Sequence, residues 1–259
     1  MTHKARKRFG QHFLHDQNII HRIIRAINPQ PGDRLIEIGP GQGALTIPLL
    51  QQCKELTAIE LDRDLIPILQ QRAQSIGELH LINQDVLTID LSTLPLSPPL
   101  RLVGNLPYNI STPLMFHLLE HSELIEDMFF MLQKEVAERI IARPEDKHYG
   151  RLSVMMQYYC DSDYLFDVPP GCFSPPPRVD SAVIRLQPHA TPPVQVEDVS
   201  LLSLVVQTAF NQRRKTIHNS LKKILDNTHI ESLGIDPGAR AETLSLTDFA
   251  KLTTLVSSS

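Results

Sequence analysis

The chain has 259 residues, 42% of them hydrophobic and 21% charged, with a formal net charge of −4; this suits one large domain, or one domain plus an appendage, and shows no collagen, coiled-coil or disorder bias. Cys53, Cys160 and Cys172 are far apart and form no Cys-x-x-Cys pair, which excludes a disulfide framework or a zinc site and fits a reducing, cytoplasmic setting. No apolar run reaches the roughly 18 residues of a bilayer span, and Met1 to Arg8 lack the apolar core of a signal peptide, so no membrane partner is expected.

The chain opens basic. Residues 1–25 hold Lys4, Arg6, Lys7, Arg8, Arg22 and Arg25 against Asp16 alone, a net +5. Ile19, Ile20, Ile23, Ile24 and Ile27 then recur at helical spacing until Asn28-Pro29 stops the helix. Arg34 to Ile38 reads as a buried strand that breaks into Gly39-Pro40-Gly41-Gln42-Gly43, followed by a short crossover helix over Ala44 to Gln52. A second strand spans Leu56 to Leu61, a helix Leu65 to Ala73, and a third strand Glu78 to Ile82. The fourth strand, Arg101 to Gly104, breaks at Asn105-Leu106-Pro107-Tyr108-Asn109, and Ser111-Thr112-Pro113 reads as the cap and early proline of a helix reaching His121. Asp127 to Leu132 suits a central fifth strand, with its helix running through Val136, Ile140 and Ile141. Leu152 to Cys160 is helical or strand-like, and Tyr164 to Val168 and Ser181 to Leu186 are two further strands. The expected class is therefore α/β, a Rossmann-like and mostly parallel sheet with an antiparallel edge. Pro188, Pro192 and Pro193 mark a linker. Beyond it, Val199 to Leu225, Ile230 to Leu233 and Asp248 to Val256 make a small all-α appendage, giving domains 1–188 and 189–259. Within that appendage Arg213, Arg214, Lys215, Lys222 and Lys223 make a second +5 island, which leaves −14 for the rest of the chain. Two basic islands on an acidic body suit docking onto a polyanion, although solvated surfaces would carry the same charges.

In an open α/β sheet the carboxyl ends of successive strands converge on one crevice, so Glu37, Gly39, Gly41, Glu60 and Asp85 are expected to share it. Glycines let a ligand approach the backbone, and an acid about 20 residues past them is placed to accept ribose hydroxyls. Asp85 is placed to accept from an adenine amino group. The spacing is Gly-x-Gly-x-Gly, not the Gly-x-Gly-x-x-Gly of dinucleotide enzymes, and an ordinary strand-to-helix turn would also use glycines. Asn105-Leu106-Pro107-Tyr108 is more specific. An exocyclic amine whose lone pair is delocalised into a ring becomes nucleophilic only when rehybridised, and two acceptors aimed at its N–H bonds achieve this. The Asn105 side-chain oxygen and the Leu106 carbonyl, held by the fixed φ of Pro107, are such acceptors, and Tyr108 offers a face for a flipped base. The eleven histidines show no ligand spacing with an acid or cysteine, so no metal is expected.

With these residues in view the chain resembles the S-adenosylmethionine-dependent ribosomal RNA adenine N6,N6-dimethyltransferases over essentially its whole length. The landmarks are Arg8 to Leu14, Glu37 to Gly43, Glu60-Leu61-Asp62, Asp85, Gly104 to Ser111, Gln133 to Val136, Tyr149 to Ser153, Phe173 to Ser181 and Phe210 to Thr216. The resemblance implies that His12 and Leu14 touch the cofactor and Gly39 lies against its methionine part. It further implies that Glu60 holds the ribose, Asp85 and Val86 bind the adenine, and Asn105 and Leu106 position the target amine. Tyr108 and Phe173 would sandwich the flipped adenine. Several relatives carry Asn where this chain has His12. Lys4, Arg6, Lys7 and Arg8, with Arg213, Arg214, Lys215, Lys222 and Lys223, would grip RNA phosphates without reading sequence. The implied substrate is a pair of adjacent adenosines in a hairpin loop near the 3′ end of small-subunit rRNA within a 30S assembly intermediate, and the protein is expected to be a monomer. A DNA adenine methyltransferase is the alternative; such enzymes usually carry Asp-Pro-Pro-Tyr. A second is a non-catalytic assembly or transcription factor that keeps the fold as a clamp.

Overall fold

A computed structural model describes residues 11–212, 214–225 and 227–257. Its elements run β1 (Phe13–Leu14), α1 (Gln17–Ile27), β2 (Leu35–Ile38), α2 (Thr46–Cys53), β3 (Glu55–Ile59), α3 (Ile66–Ala73), β4 (Glu78–Ile82), β5 (Leu100–Asn105) and α4 (Ser111–Leu119). They continue with β6 (Ile125–Gln133), α5 (Lys134–Ile141), α6 (Arg151–Tyr159), β7 (Cys160–Val168), β8 (Phe173–Ser174) and β9 (Ser181–Pro188). The last are α7 (Val199–Phe210), α8 (Ile217–Leu221), α9 (Asn227–Ser232) and α10 (Leu246–Ser257).

The local signals behave as their chemistry dictates. Asp16 caps α1 by accepting from the Ile19 amide at 3.0 Å, and all five isoleucines of the helix are buried. The helix ends at Asn28, in the left-handed region at φ 48°, one residue before Pro29. Ser111 differs from expectation. It opens α4 without capping it, because its hydroxyl donates back to the Pro107 carbonyl at 3.1 Å and braces the turn instead.

Seven strands form one sheet in the order β4-β3-β2-β5-β6-β9-β7. The pairs β4/β3, β3/β2, β2/β5 and β5/β6 are parallel, and β6/β9 is antiparallel. From β2 the chain builds outward through β3 and β4, then returns to lay β5 on β2's other side. That reversal between β2 and β5 opens a crevice at their carboxyl ends, where such sheets take ligands. Sequence periodicity gave no sign of a second, two-stranded sheet in which β1 pairs antiparallel with β8, setting Phe13 opposite Ser174 and Leu14 opposite Phe173.

The chain divides into two compact units, residues 1–137 with 163–188 and residues 138–162 with 189–259. The helical unit therefore takes in 138–162, which the linear division at Pro188 assigned to the sheet. The reason is α6, which buries Leu152, Val154, Met155, Met156 and Tyr158 and packs on α7 and α10. Tyr149, almost fully buried, donates its hydroxyl to the Leu244 carbonyl at 2.9 Å and meets the Phe210 ring edge-on. The expected single helical stretch from Val199 to Leu225 is two helices, α7 and α8, separated after Phe210. Among the described residues no helix is long and apolar enough to cross a membrane, and no group of three or more His, Cys, Asp or Glu could hold a metal.

Candidate active site

The crevice is built by close approach of two strand ends. Ile38 of β2 is in register with Gly104 of β5, and a Cβ on Gly104 would stand 2.6 Å from the Ile38 carbonyl oxygen, so a side chain there would push the strands apart. The bend after β2 and the turn after β5 consequently touch: a Cβ on Gly39 would lie 3.8 Å from the Asn105 carbonyl. Gly41 sits at φ +58°, with the Phe13 ring 3.1 Å from where its Cβ would be, so the bend needs glycine both for conformation and for space.

One cavity of about 1090 Å³ follows this seam. It is lined by Glu37, Gly39, Gly41, Glu60, Asp85 and Val86, by Asn105, Leu106 and Tyr108, and by His12 and Leu14. This volume lies at the upper end of the usual range for a small-molecule site.

The acids have distinct environments. Glu60 accepts from the Gly41 amide at 3.1 Å through one oxygen and from the Asp62 amide at 2.7 Å through the other. Burial raises its pKa, and those two amides pull it back. A carboxylate has about four acceptor sites, so this one is held rigidly with capacity left for two hydroxyls. Glu37 is fully enclosed, and burial pushes its pKa up to about 8 against the Thr46 hydroxyl, which donates to it at 2.6 Å. Burial thus favours its neutral form. Asp85 accepts from the Leu87 amide at 3.0 Å and so sets the turn that presents Val86, itself buried, to the cavity.

The Asn105–Tyr108 turn is held mostly by groups far away in sequence. The Asn105 amide nitrogen donates to the His12 carbonyl at 3.0 Å, which leaves the amide oxygen as its accepting end. Leu106 donates its amide to the Met131 carbonyl at 2.9 Å, extending the β5/β6 ladder into the turn. The Pro107 carbonyl accepts from the Ile110 amide and the Ser111 hydroxyl. Tyr108 is half-buried, its hydroxyl 2.6 Å from Ser181 Oγ, and burial raises its pKa.

Not every expected residue joins this group. Phe173 is 2% exposed; its strand pairing with Leu14 turns the ring into the apolar core shared with α1, and it does not line the cavity, although its neighbours Ser174 and Pro175 do. The ring that meets Tyr108 is His12. Of the basic residues, Arg214, Lys215, Lys222 and Lys223 are exposed and bracket α8. Lys4, Arg6, Lys7, Arg8 and Arg213 lie outside the described residues. Sequence reasoning missed the supporting partners Thr46 and Ser181. Ser181 closes one of the motifs that carried the family resemblance, whereas Thr46 had no local signal.

A model of the family described as "Ribosomal RNA adenine dimethylase" matches residues 2–257. The chain is 56% identical over 256 residues to "Ribosomal RNA small subunit methyltransferase A" of Nitrosococcus oceani, covering 98% of this chain and 96% of that one. Among solved structures it is similar to a dimethyladenosine transferase from Plasmodium falciparum, with a TM-score of 0.80 and 27% identity over 93% of this chain and 96% of that one. It is also similar to the 23S rRNA methyltransferase ErmE, with a TM-score of 0.74 and 26% identity over 95% and 99% of the two chains. With a family match across nearly the full length and a cavity joining the glycine bend to the Asn-Leu-Pro-Tyr turn, the chain belongs to the ribosomal RNA adenine dimethylase family.

Proposed function

We propose that this protein transfers methyl groups to the N6 amines of two adjacent adenosines in a hairpin loop near the 3′ end of 16S rRNA, twice on each base, within a 30S assembly intermediate in the cytoplasm. The observation that supports this best is the continuous cavity from Glu60 through the glycine bend to Tyr108. The small-subunit assignment is favoured over a large-subunit target because the 56% identical relative carries the small-subunit name, whereas the likeness to the 23S enzyme is 26%.

The donor is S-adenosylmethionine, which when bound supplies an activated methyl on sulfur. The residues present fit it: the rigid Glu60 carboxylate for the ribose, the Asp85–Val86 turn for the adenine, and the close backbone at Gly39 and Gly41 for the methionine part, with His12 and Leu14 alongside. Asn105 Oδ1 and the Leu106 carbonyl accept the two N–H bonds of the target amine, which localises its lone pair on nitrogen. Tyr108 stacks on the base. Catalysis is then chiefly positioning, with no covalent enzyme intermediate. Unpaired loop bases cost less to extrude than paired ones. Arg214, Lys215, Lys222 and Lys223 give the helical unit a surface for RNA phosphates, contacts that position the substrate without reading sequence. The protein acts as a monomer.

The test is incubation with radiolabelled S-adenosylmethionine and, in separate reactions, 30S particles from a strain lacking this methylation, naked 16S rRNA, 23S rRNA and duplex DNA, followed by nucleoside analysis. Label in N6,N6-dimethyladenosine from 30S particles is expected. Label confined to 23S rRNA or DNA, or found in none, sinks the proposal.

A further inference from the structure

Helix α1 has two faces of different chemistry. Its five isoleucines are buried, whereas His21, Arg22 and Arg25 are exposed and sit at spacings of three and four residues on one face, with no acid anywhere in the helix. The acids nearest in the chain are already engaged: Asp16 caps the helix through the Ile19 amide, and Asp33 accepts from Arg101. Among the described residues neither Arg22 nor Arg25 has an acidic partner or a hydrogen-bond acceptor. The Arg22 guanidinium carbon lies 3.9 Å from the centre of the Phe166 ring, a partly buried side chain packed on the apolar core. The ring face holds the cation in place and takes none of its five N–H donors. His21 joins this face to the cavity, whose lining also includes Gln17 and Ile20 of the same helix.

We propose that the outer face of α1, through Arg22 and Arg25, grips the phosphate backbone of the RNA beside the cavity. This rests on the reading that the protein methylates RNA. A phosphodiester chain repeats its charge along a line, and the two arginines repeat theirs three residues apart, about 4.5 Å along the helix axis. Guanidinium forks match pairs of phosphate oxygens, and a fork already placed by Phe166 loses less freedom on binding. The occupant is RNA and not an acidic protein, because the face lacks the apolar centre that a protein interface needs. The exposed large hydrophobic residues Leu61, Val179 and Leu204 all lie off α1. Residues 1–25 carry +5 on a chain whose net charge is −4, so a polyanion is drawn to this face and repelled by much of the remaining surface. Such contacts hold the strand in register without reading its sequence.

The experiment uses the full-length protein with two double variants, Arg22→Gln with Arg25→Gln and Arg22→Lys with Arg25→Lys; glutamine and lysine are both good helix formers, so α1 itself is kept. Filter binding to a 3′-terminal fragment of 16S rRNA is measured between about 50 and 200 mM KCl, and methyl transfer to 30S particles from a strain lacking the modification is followed alongside. In the glutamine variant the Kd for RNA should rise about tenfold, and the plot of log affinity against log salt should flatten by about 1 to 2, the loss of two phosphate contacts. For 30S particles KM should rise while kcat and cofactor affinity by calorimetry stay within about twofold. The lysine variant keeps both charges and should keep the salt slope, with a smaller loss of affinity because lysine lacks the fork. Unchanged affinity and slope in the glutamine variant would show a merely solvated face and overturn the proposal. A weaker affinity with the slope unchanged would overturn it too, as would a lysine variant no better than the glutamine one, since each points to damaged packing and not to lost charge. If the wild-type protein methylates 30S particles and the glutamine variant matches it in every measurement, only this surface is wrong. If the wild-type protein methylates no RNA, the parent reading fails and this inference with it.

Discussion

Strand β5 carries a polar cluster at each end, and the two could hardly be more different. At its amino end Arg101 donates to Asp33 Oδ2 at 2.7 Å, to the Ile27 carbonyl at 2.8 Å, and to both Asp127 oxygens at 2.9 and 3.0 Å. The two carboxylates raise its pKa further despite the opposing effect of burial, and the whole set is largely shielded from water. At the carboxyl end, four residues later, Asn105 lines a large cavity and has its side-chain nitrogen bound to the His12 carbonyl. One cluster is closed, with its charges answered by neighbours. The other is held rigid by neighbours yet keeps acceptors for something that is not protein. Buried polarity alone does not mark a site; polarity that is oriented and incompletely used does.

The comparison is broken most severely at its closed end. Arg101→Ala leaves the buried Asp127 and the partly buried Asp33 without their cation and should lower the free energy of unfolding by about 3–5 kcal/mol in urea titration, while S-adenosylmethionine affinity of the folded fraction stays within a few-fold. A small loss of stability would mean that water or Arg185, 3.9 Å from Asp127, takes over the role. At the open end, Asn105→Ala should reduce kcat by about 100- to 1000-fold, the scale for losing one preorganised polar contact at a reacting centre. Thermal stability and cofactor affinity should change little; parallel losses in all three would make Asn105 a structural residue.

The smallest effect concerns Glu37, one of the three acids that line the cavity. Glu37 titrates near 4.5 in the unfolded chain and at about 8 in the fold, so the native state holds a proton that the unfolded state has lost between those values. Its contribution to stability is present in full below about pH 4.5 and disappears as pH rises through about 8. Glu37→Gln keeps a neutral group beside Thr46 but removes the titration. Its melting temperature should therefore fall less than that of the wild type between pH 5 and 8.5. Equal slopes would show that Glu37 is ionised in the folded protein.

How much of this was legible beforehand depends on the range of the interaction responsible. The isoleucine repeat of α1, the apolar run of β2 and the Asn28-Pro29 stop are local patterns, and each yields its element wherever the chain later places it. Glu37, Glu60, Asp85 and Asn105 could be assigned to one crevice because parallel strands in such a sheet place their carboxyl ends on one edge. The identity of the supporting residues could not. Ser181 reaches Tyr108 across 73 positions, and the Asn105 amide reaches His12 across 93.

The amino-acid sequence by itself determined the class of sheet, the glycine bend, the Asn-Leu-Pro-Tyr turn and the family, since all rest on spacing within short windows. Only the tertiary structure decided that residues 138–162 join the helical unit, that Phe173 turns inward and that His12 lies on Tyr108. These outcomes come from which surfaces are buried against each other once the strands pair. An aromatic residue in a motif has the same letter whether its ring faces a cavity or the core, and only the pairing of β1 with β8 settles which.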